Sequence, residues 1–160
     1  MNKPIHPVIS SDGGNIAYDG DLYGWAIEQA GFLRAGKVEL VDWANLAEEL
    51  EGMARSEYRS LESALRILLL HLLKWEAQPG LRSKSWLYSI QEHGDRYQRL
   101  LAENPSLKQH VEAIRADAHR SARRLAASET GLDIDLFPVE PLGWNSIANP
   151  PAREEDLPAR

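Results

Sequence analysis

The sequence predicts an all-α protein: an antiparallel bundle of four main helices with one long central helix and an extended C-terminal strap. Apolar residues recur at three- and four-residue spacing in four segments between Tyr18 and Gly131, which is the pattern of amphipathic helices. Asp, Ser, Gly and Pro residues stand at the ends of these segments, where helices begin and end. After Gly131 the periodicity stops, because Pro138, Pro141, Pro150 and Pro151 interrupt it.

The first helix is predicted over Tyr18–Gly36. Asp19 or Asp21 is placed to accept hydrogen bonds from the free N–H groups of its first turn, and Gly36 stands where a left-handed C-terminal cap belongs. Three further glycines weaken this helix, so packing must hold it in place. Its periodic residues are Leu22, Trp25, Ala26, Gln29 and Leu33.

The central helix, Asp42–Gln78, is the element around which the fold is organised, with Asp42 as its N-cap. The phase is unbroken at Gly52, which favours a single helix of about 34 residues, about 50 Å long. The alternative is two helices with a kink near Gly52–Ser56. Residues Ile67–Leu73 are apolar nearly all round, so neighbouring helices or another subunit must enclose them. Its apolar stripe comprises Trp43, Leu46, Ala47, Leu50, Met53, Ala54, Leu61, Leu65, Leu68 and Leu72.

Two more helices follow. Pro79 ends the central helix, Ser85 is predicted to cap the third, and Asn104-Pro105 ends it. Ser106 with Gln109 has the spacing of a capping box for the fourth. The segment after Gly131 is predicted to be a strap over the bundle, with one short turn at Trp144–Ala148.

The domain prediction is a disordered N-terminal tail (1–17), a single helical domain (18–148) and a polar C-terminal tail (149–160). With 160 residues, 43% of them hydrophobic, the chain has enough apolar material for one core. It contains no cysteine, which excludes disulfides and Cys-built zinc or iron–sulfur sites. The N-terminus has no apolar signal region, and the run Ile67–Leu73 is too short to span a membrane. A cytoplasmic location is expected.

Several segments of the sequence are distinctive: Leu22-Tyr-Gly-Trp25, Asn45-Leu-Ala-Glu-Glu49, Leu68-Leu-Leu-His-Leu-Leu-Lys-Trp75, Ser85-Trp86 and Glu129-Thr-Gly-Leu132. They resemble a known family of bacterial proteins, domain of unknown function 29, which is abundant in cyanobacteria. The resemblance runs from about Tyr18 to Ile147; it implies an all-helical fold and brings no activity with it. At Ala77 the chain departs from the family pattern, which has an aromatic residue before Gln78-Pro79.

His71, Trp75 and Glu57 are the candidates for a ligand pocket. His71 lies on a buried side of the central helix, either as a ligand or general base or as a core histidine that bridges two helices. Glu57 lies on the apolar stripe, where a carboxylate needs a partner. Arg55, Arg66 or an arginine of the fourth helix is expected to pair with it, unless it is partly solvated.

Basic residues form two candidate patches: Arg82 and Lys84 beside Trp75 and Trp86, and a second group on the fourth helix, Arg120, Arg123 and Arg124. Such groups bind phosphates or nucleic-acid strands or are simply solvated, salt-bridged faces. The net charge of −6 argues against a nucleic-acid binder that works by bulk charge.

No catalytic or metal-binding motif is present in the sequence. Glu-x-x-His and His-Glu-x-x-His are absent, as are Gly-x-Ser-x-Gly and glycine-rich phosphate loops. We therefore expect no metal, cofactor or catalytic residue. The leading hypothesis is a small cytoplasmic, non-catalytic interaction or regulatory module that binds a protein partner or self-associates through Ile67–Leu73. The alternatives are an enzyme or small-ligand binder with a pocket near His71 and Trp75, and nucleic-acid contact through a basic patch.

Overall fold

The computed structural model describes residues 16–159, and over that range the fold is all-α, as predicted. No strand occurs among these residues. The α-helices are α1 (Leu22–Arg34), α2 (Trp43–Ala77), α3 (Lys84–Glu103), α4 (Val111–Thr130) and α5 (Trp144–Ala148). Single 3-10 turns lie at Val38–Leu40, Pro79–Leu81, Pro105–His110, Ile134–Leu136 and Glu154–Asp156. The predicted N-terminal tail lies outside the described residues except for Ile16 and Ala17.

The chain divides into two compact units, Met1–Ala54 and Arg55–Arg160. The predicted domain boundaries at 18 and 148 stay predictions. In the first unit, Asp21 rather than Asp19 caps α1, because its Oδ1 accepts a 2.9 Å hydrogen bond from the Gly24 N–H. Gly36 adopts the predicted left-handed conformation, with φ 68°. The Lys37 N–H then reaches back to the Phe32 carbonyl at 2.9 Å, which closes the helix end.

Helix α2 is one continuous helix of 35 residues, in agreement with the prediction. Asp42 caps it, because Oδ1 accepts from the Asn45 N–H and Oδ2 from the Asn45 side-chain amide. These two hydrogen bonds hold the pKa of Asp42 below its usual range, and the one from the Asn45 side chain has the larger effect. Pro79 follows the helix end at Ala77, where its ring prevents continuation.

The second unit has a core formed by α2, α3, α4 and the strap. The predicted stripe of α2 is fully buried from Leu61 onward, and the run Ile67–Leu73 is largely enclosed by residues of its own chain. This burial leaves little of Ile67–Leu73 exposed, and the hypothesis that this run mediates self-association stays a prediction. Helix α4 contributes mainly alanines to this core, whereas α3 contributes larger side chains. The core residues of the two helices are Leu87, Ile90, Tyr97, Ile114, Ala118, Ala122 and Ala126.

The starts of α3 and α4 differ from the sequence predictions. Ser83, not Ser85, caps α3, and its Oγ accepts from the Trp86 N–H at 3.3 Å. The capping box predicted at Ser106 and Gln109 is wrong, because both residues lie inside a 3-10 turn and α4 begins only at Val111. At the far end, Gly131 stops α4 with φ 71°, as predicted.

The strap is confirmed as an extended segment with a short helix at Trp144–Ala148. Side chains of α4 fasten it: Arg115 Nη1 donates to the Leu142 carbonyl, and Trp144 Nε1 donates to Glu112 at 2.6 Å. Phe137 and Ile147 insert into the core. Within the predicted polar tail (149–160), Ala152 belongs to the core cluster and Leu157 packs against it.

Candidate functional site

The first unit exposes much apolar surface for its size. Of the twelve large hydrophobic residues that are exposed in the described part of the chain, eight lie between residues 16 and 54. Buried apolar residues in the same segment are Trp25 and Val41. A segment with so few buried apolar residues leaves apolar surface exposed. Such surface is normally an interaction site for another molecule. The eight exposed residues are Leu22, Tyr23, Leu33, Val38, Leu40, Trp43, Leu50 and Met53.

The apolar stripe of α2 changes its environment along the helix. From Leu61 to Leu72 the stripe is core, but Trp43 is 56% exposed and Leu50 is 58% exposed. In the first three turns of α2 the stripe is therefore not part of the buried core. Periodicity identifies which face of a helix is apolar, whereas burial also depends on whether another element lies opposite.

Polar contacts fix the inner side of the first unit. The Tyr18 hydroxyl donates to Glu49 Oε1 at 2.5 Å, and its ring lies edge-on to Trp25 with centroids 5.0 Å apart. The hydrogen bond and the negative charge of Glu49 raise the pKa of Tyr18 to about 12. Buried Gln29 accepts from the Asp42 N–H at 2.8 Å, which ties α1 to the first residue of the α2 cap.

The exposed apolar residues lie in the most acidic part of the chain. Residues 16–54 contain eight acidic and two basic side chains, so the whole net charge of −6 belongs to this segment. Residues 55–160 carry fifteen charges of each sign, and residues 1–15 one of each. The exposed apolar residues and the net negative charge thus lie in the same segment, whereas residues 55–160 are neutral overall. We use the name acidic apolar face for the exposed residues Leu22, Leu33, Trp43, Leu50 and Met53 together with the eight acidic side chains of residues 16–54.

The ligand-pocket candidates are occupied by local contacts. Half-buried His71 lies with Nδ1 2.9 Å from the Ile67 carbonyl of its own helix, so this bond does not bridge two helices. Trp75 is 1% exposed, and Arg82 covers its ring at 5.0 Å. Glu57 is exposed and accepts from the Asn104 amide at 3.2 Å, a partner other than the arginines that the sequence suggested. Glu57 and His71 lie fourteen positions apart on continuous α2, about 21 Å.

The two basic patches differ in their surroundings: the first makes local contacts, and the second lines a cavity. Arg82 donates through Nε to the Trp75 carbonyl at 3.0 Å, and Lys84 forms a long 3.8 Å ion pair with Glu154. The first patch therefore closes the end of α2. Arg120, Arg123 and Arg124, by contrast, line one open cavity beside the strap. The other wall of that cavity, Ile134, Val139 and Pro141, was not predicted, because these residues follow α4 in a segment without periodicity.

Metal sites and membrane-spanning helices were the remaining features of interest, and neither occurs among the described residues, 16–159. No group of three or more His, Asp or Glu side chains there is arranged to hold a metal ion. In the same range, no helix combines the length and apolar character that crossing a membrane requires.

Comparison with known proteins identifies a family and nothing closer. A family model described as "Domain of unknown function DUF29" matches residues 17–147, most of the chain and nearly the span over which the sequence resemblance was seen. No curated protein matches the chain, and no solved structure does.

Proposed function

The chain belongs to the family described as domain of unknown function DUF29, and we propose that it is a small cytoplasmic, non-catalytic interaction module. Its acidic apolar face binds a basic amphipathic helix of a partner protein. One observation carries the proposal: eight exposed large apolar side chains and the entire net charge of −6 coincide in residues 16–54.

The charge of the face selects its partner. A second copy would bring an equally negative face, and like charges across an interface disfavour association. Anionic lipid headgroups and nucleic-acid phosphates are repelled for the same reason. An amphipathic helix with Leu-like residues on one side and Lys or Arg along its edges satisfies both the apolar residues and the carboxylates, as in other helix-in-groove complexes.

Trp43 supplies the anchor in this proposal. Its Nε1 donates to the Val38 carbonyl at 3.2 Å, which holds the ring in place while more than half of it stays exposed. Held aromatic side chains lose little entropy on binding and dominate the energetics of many interfaces. The exposed carboxylates of Glu39 and Glu48 lie near it in the sequence, where they can form the polar rim.

A photo-crosslinking experiment tests the proposal. A photoreactive phenylalanine analogue replaces Leu50 in cells that naturally make this protein, and the same analogue replaces Leu81 as control. The two leucines are 58% and 62% exposed, but Leu81 lies in the neutral second unit. We expect position 50, and not position 81, to capture one partner whose crosslinked segment is a basic amphipathic helix.

Reconstitution then checks the chemistry. The crosslinked segment is synthesised, and its affinity is measured by calorimetry at increasing salt concentration. Binding should weaken with salt and be lost in Leu50→Asp, while Leu81→Asp leaves it unchanged. Capture of a second copy, of an acidic segment or of nothing at position 50 contradicts the proposal.

A further inference from the structure

The cavity beside the strap is a second, independent site. It has a volume of about 340 Å³ and lies between α4 and the residues that follow Gly131. One wall is basic and the other is apolar. The basic wall is formed by Arg120, Arg123 and Arg124, and the apolar wall by Ile134, Val139 and Pro141. We propose that this cavity binds a small organic anion, a phosphate ester or a carboxylate with an apolar body.

The strap wall is held in position by α4. Arg123 Nε donates to the Phe137 carbonyl at 3.0 Å, and His119 Nε2 donates to the carbonyl of the next residue, Pro138, at 2.9 Å. His119 is 1% exposed. Because a carbonyl only accepts, the imidazole proton must reside on Nε2 when the ring is neutral. Two consecutive carbonyls fixed in this way preform the cavity, and preformed sites bind with a smaller ordering penalty.

The positive charge of the basic wall is only loosely compensated. Arg120 pairs with Asp117 at 3.0 Å, both side chains being more than half exposed. Arg123 approaches Asp135 at 3.5 Å, and that carboxylate is 89% exposed. Arg124 has no ion pair among the described residues. Exposed ion pairs contribute little, so an entering anion displaces or shares them at small cost.

Size and wall chemistry select a small molecule. Ligand sites typically occupy about 300–1,000 Å³ and combine apolar lining with a few polar groups, and this cavity lies at the lower end. Guanidinium groups bind phosphate and carboxylate oxygens in pairs. Proteins bind nucleic-acid strands by stacking bases on aromatic side chains, and no Phe, Tyr or Trp is among the residues that line this cavity.

Calorimetric titration of the full chain tests the site. The probes are phenyl phosphate, benzoate and inorganic phosphate, which separate the phosphoryl, carboxylate and apolar contributions. Arg124→Gln should weaken binding of the better organic probe about tenfold, the effect of one lost charge-assisted hydrogen bond. Arg99→Gln is the matched control, because Arg99 is an exposed arginine of α3 that does not line the cavity.

A second variant acts on the opposite wall. Val139 is 71% exposed, so Val139→Glu introduces a carboxylate that competes for the arginines without disturbing the core, and it should abolish binding. Three outcomes overturn the proposal: no saturable binding of any probe, equal loss in Arg124→Gln and Arg99→Gln, or full binding in Val139→Glu. Binding of an oligonucleotide in preference to phenyl phosphate also overturns it and makes this wall a nucleic-acid surface instead.

Discussion

Lys74 and Glu129 form an ion pair, Nζ to Oε2 2.6 Å, that joins the last turn of α2 to the last turn of α4. The pair is asymmetric, because the Lys74 side chain is 10% exposed and that of Glu129 is 46% exposed. The ammonium also lies 4.6 Å from the centre of the Trp86 ring. The sequence places this lysine inside an apolar run, and the structure shows which two groups make its burial tolerable.

Removing Glu129, the counter-charge, should therefore lower the free energy of unfolding more than removing the buried charge of Lys74 itself. Glu129→Gln leaves the ammonium without its counter-charge and should lower the free energy of unfolding by about 1–2 kcal/mol, less than a fully buried pair because Glu129 is half solvated. Lys74→Met keeps the volume and should cost less. Urea denaturation measures both. Glu154→Gln, at the exposed pair with Lys84, is the control and should stay within about 0.5 kcal/mol; a ranking with Lys74→Met worst contradicts this account.

The two glycines Gly24 and Gly31 of α1 should respond in opposite directions to alanine. A Cβ at Gly24 would lie 2.5 Å from Asp21 Oδ2, whereas at Gly31 it would meet nothing within 4 Å. Gly31→Ala should stabilise α1 by about 0.5–1 kcal/mol. Gly24→Ala should forfeit the Asp21 cap, which is worth about 1 kcal/mol. Amide hydrogen exchange in α1 reports both changes, and equal protection in the two variants contradicts the proposed role of Gly24.

The pKa of Tyr18 should be higher than its usual value because of the hydrogen bond to Glu49. Folding raises its pKa from 10.0 to about 12, so the phenol stabilises the fold fully below pH 10 and this contribution is lost as the pH rises towards 12. Ring-carbon NMR should show that the Tyr18 hydroxyl is still largely protonated at a pH between 10.0 and about 12. Glu49→Gln should return the Tyr18 pKa most of the way to its usual value.

Tyr97 gives the internal control for that titration. Its pKa is also raised to about 12, but burial is the main cause, with Glu112 adding to it. Glu49→Gln should leave it unchanged. A Tyr18 pKa near the ordinary value of 10.0 in the native protein would contradict the hydrogen bond to Glu49.

Local signals in the sequence were sufficient for most of the helices. The stops at Gly36, Pro79 and Gly131 are set by backbone chemistry of the residue itself, and all three lie where they were predicted. The sequence prediction of Ser85 as the cap of α3 is wrong by two positions, because Ser83 also has a hydroxyl suited to capping and the structure places the cap there.

Longer-range features were not predictable in the same way. The stripe at Trp43 and Leu50 has the periodicity of a buried face, and nothing local reveals that both side chains are more than half exposed. The arginines of α4 were recognised as a patch, but their cavity depends on carbonyls of Phe137 and Pro138, more than ten positions away in a segment without periodicity. The uneven charge between residues 16–54 and the remainder was readable from sequence, and it is the signal that would have pointed to the acidic apolar face.

His119 provides the test of how firmly the strap is held. His119→Leu removes the donor to the Pro138 carbonyl, and a lost buried partner costs about 1–3 kcal/mol. We expect this loss to appear mainly as faster amide exchange and proteolysis between Ile134 and Val139, with the α2–α3 core less affected. His110→Leu is the control, since His110 is exposed and makes an edge contact with Tyr58. If the strap in His119→Leu stays as protected as in the native chain, its other contacts, including that of Arg123, suffice to hold it, and the cavity does not depend on the histidine.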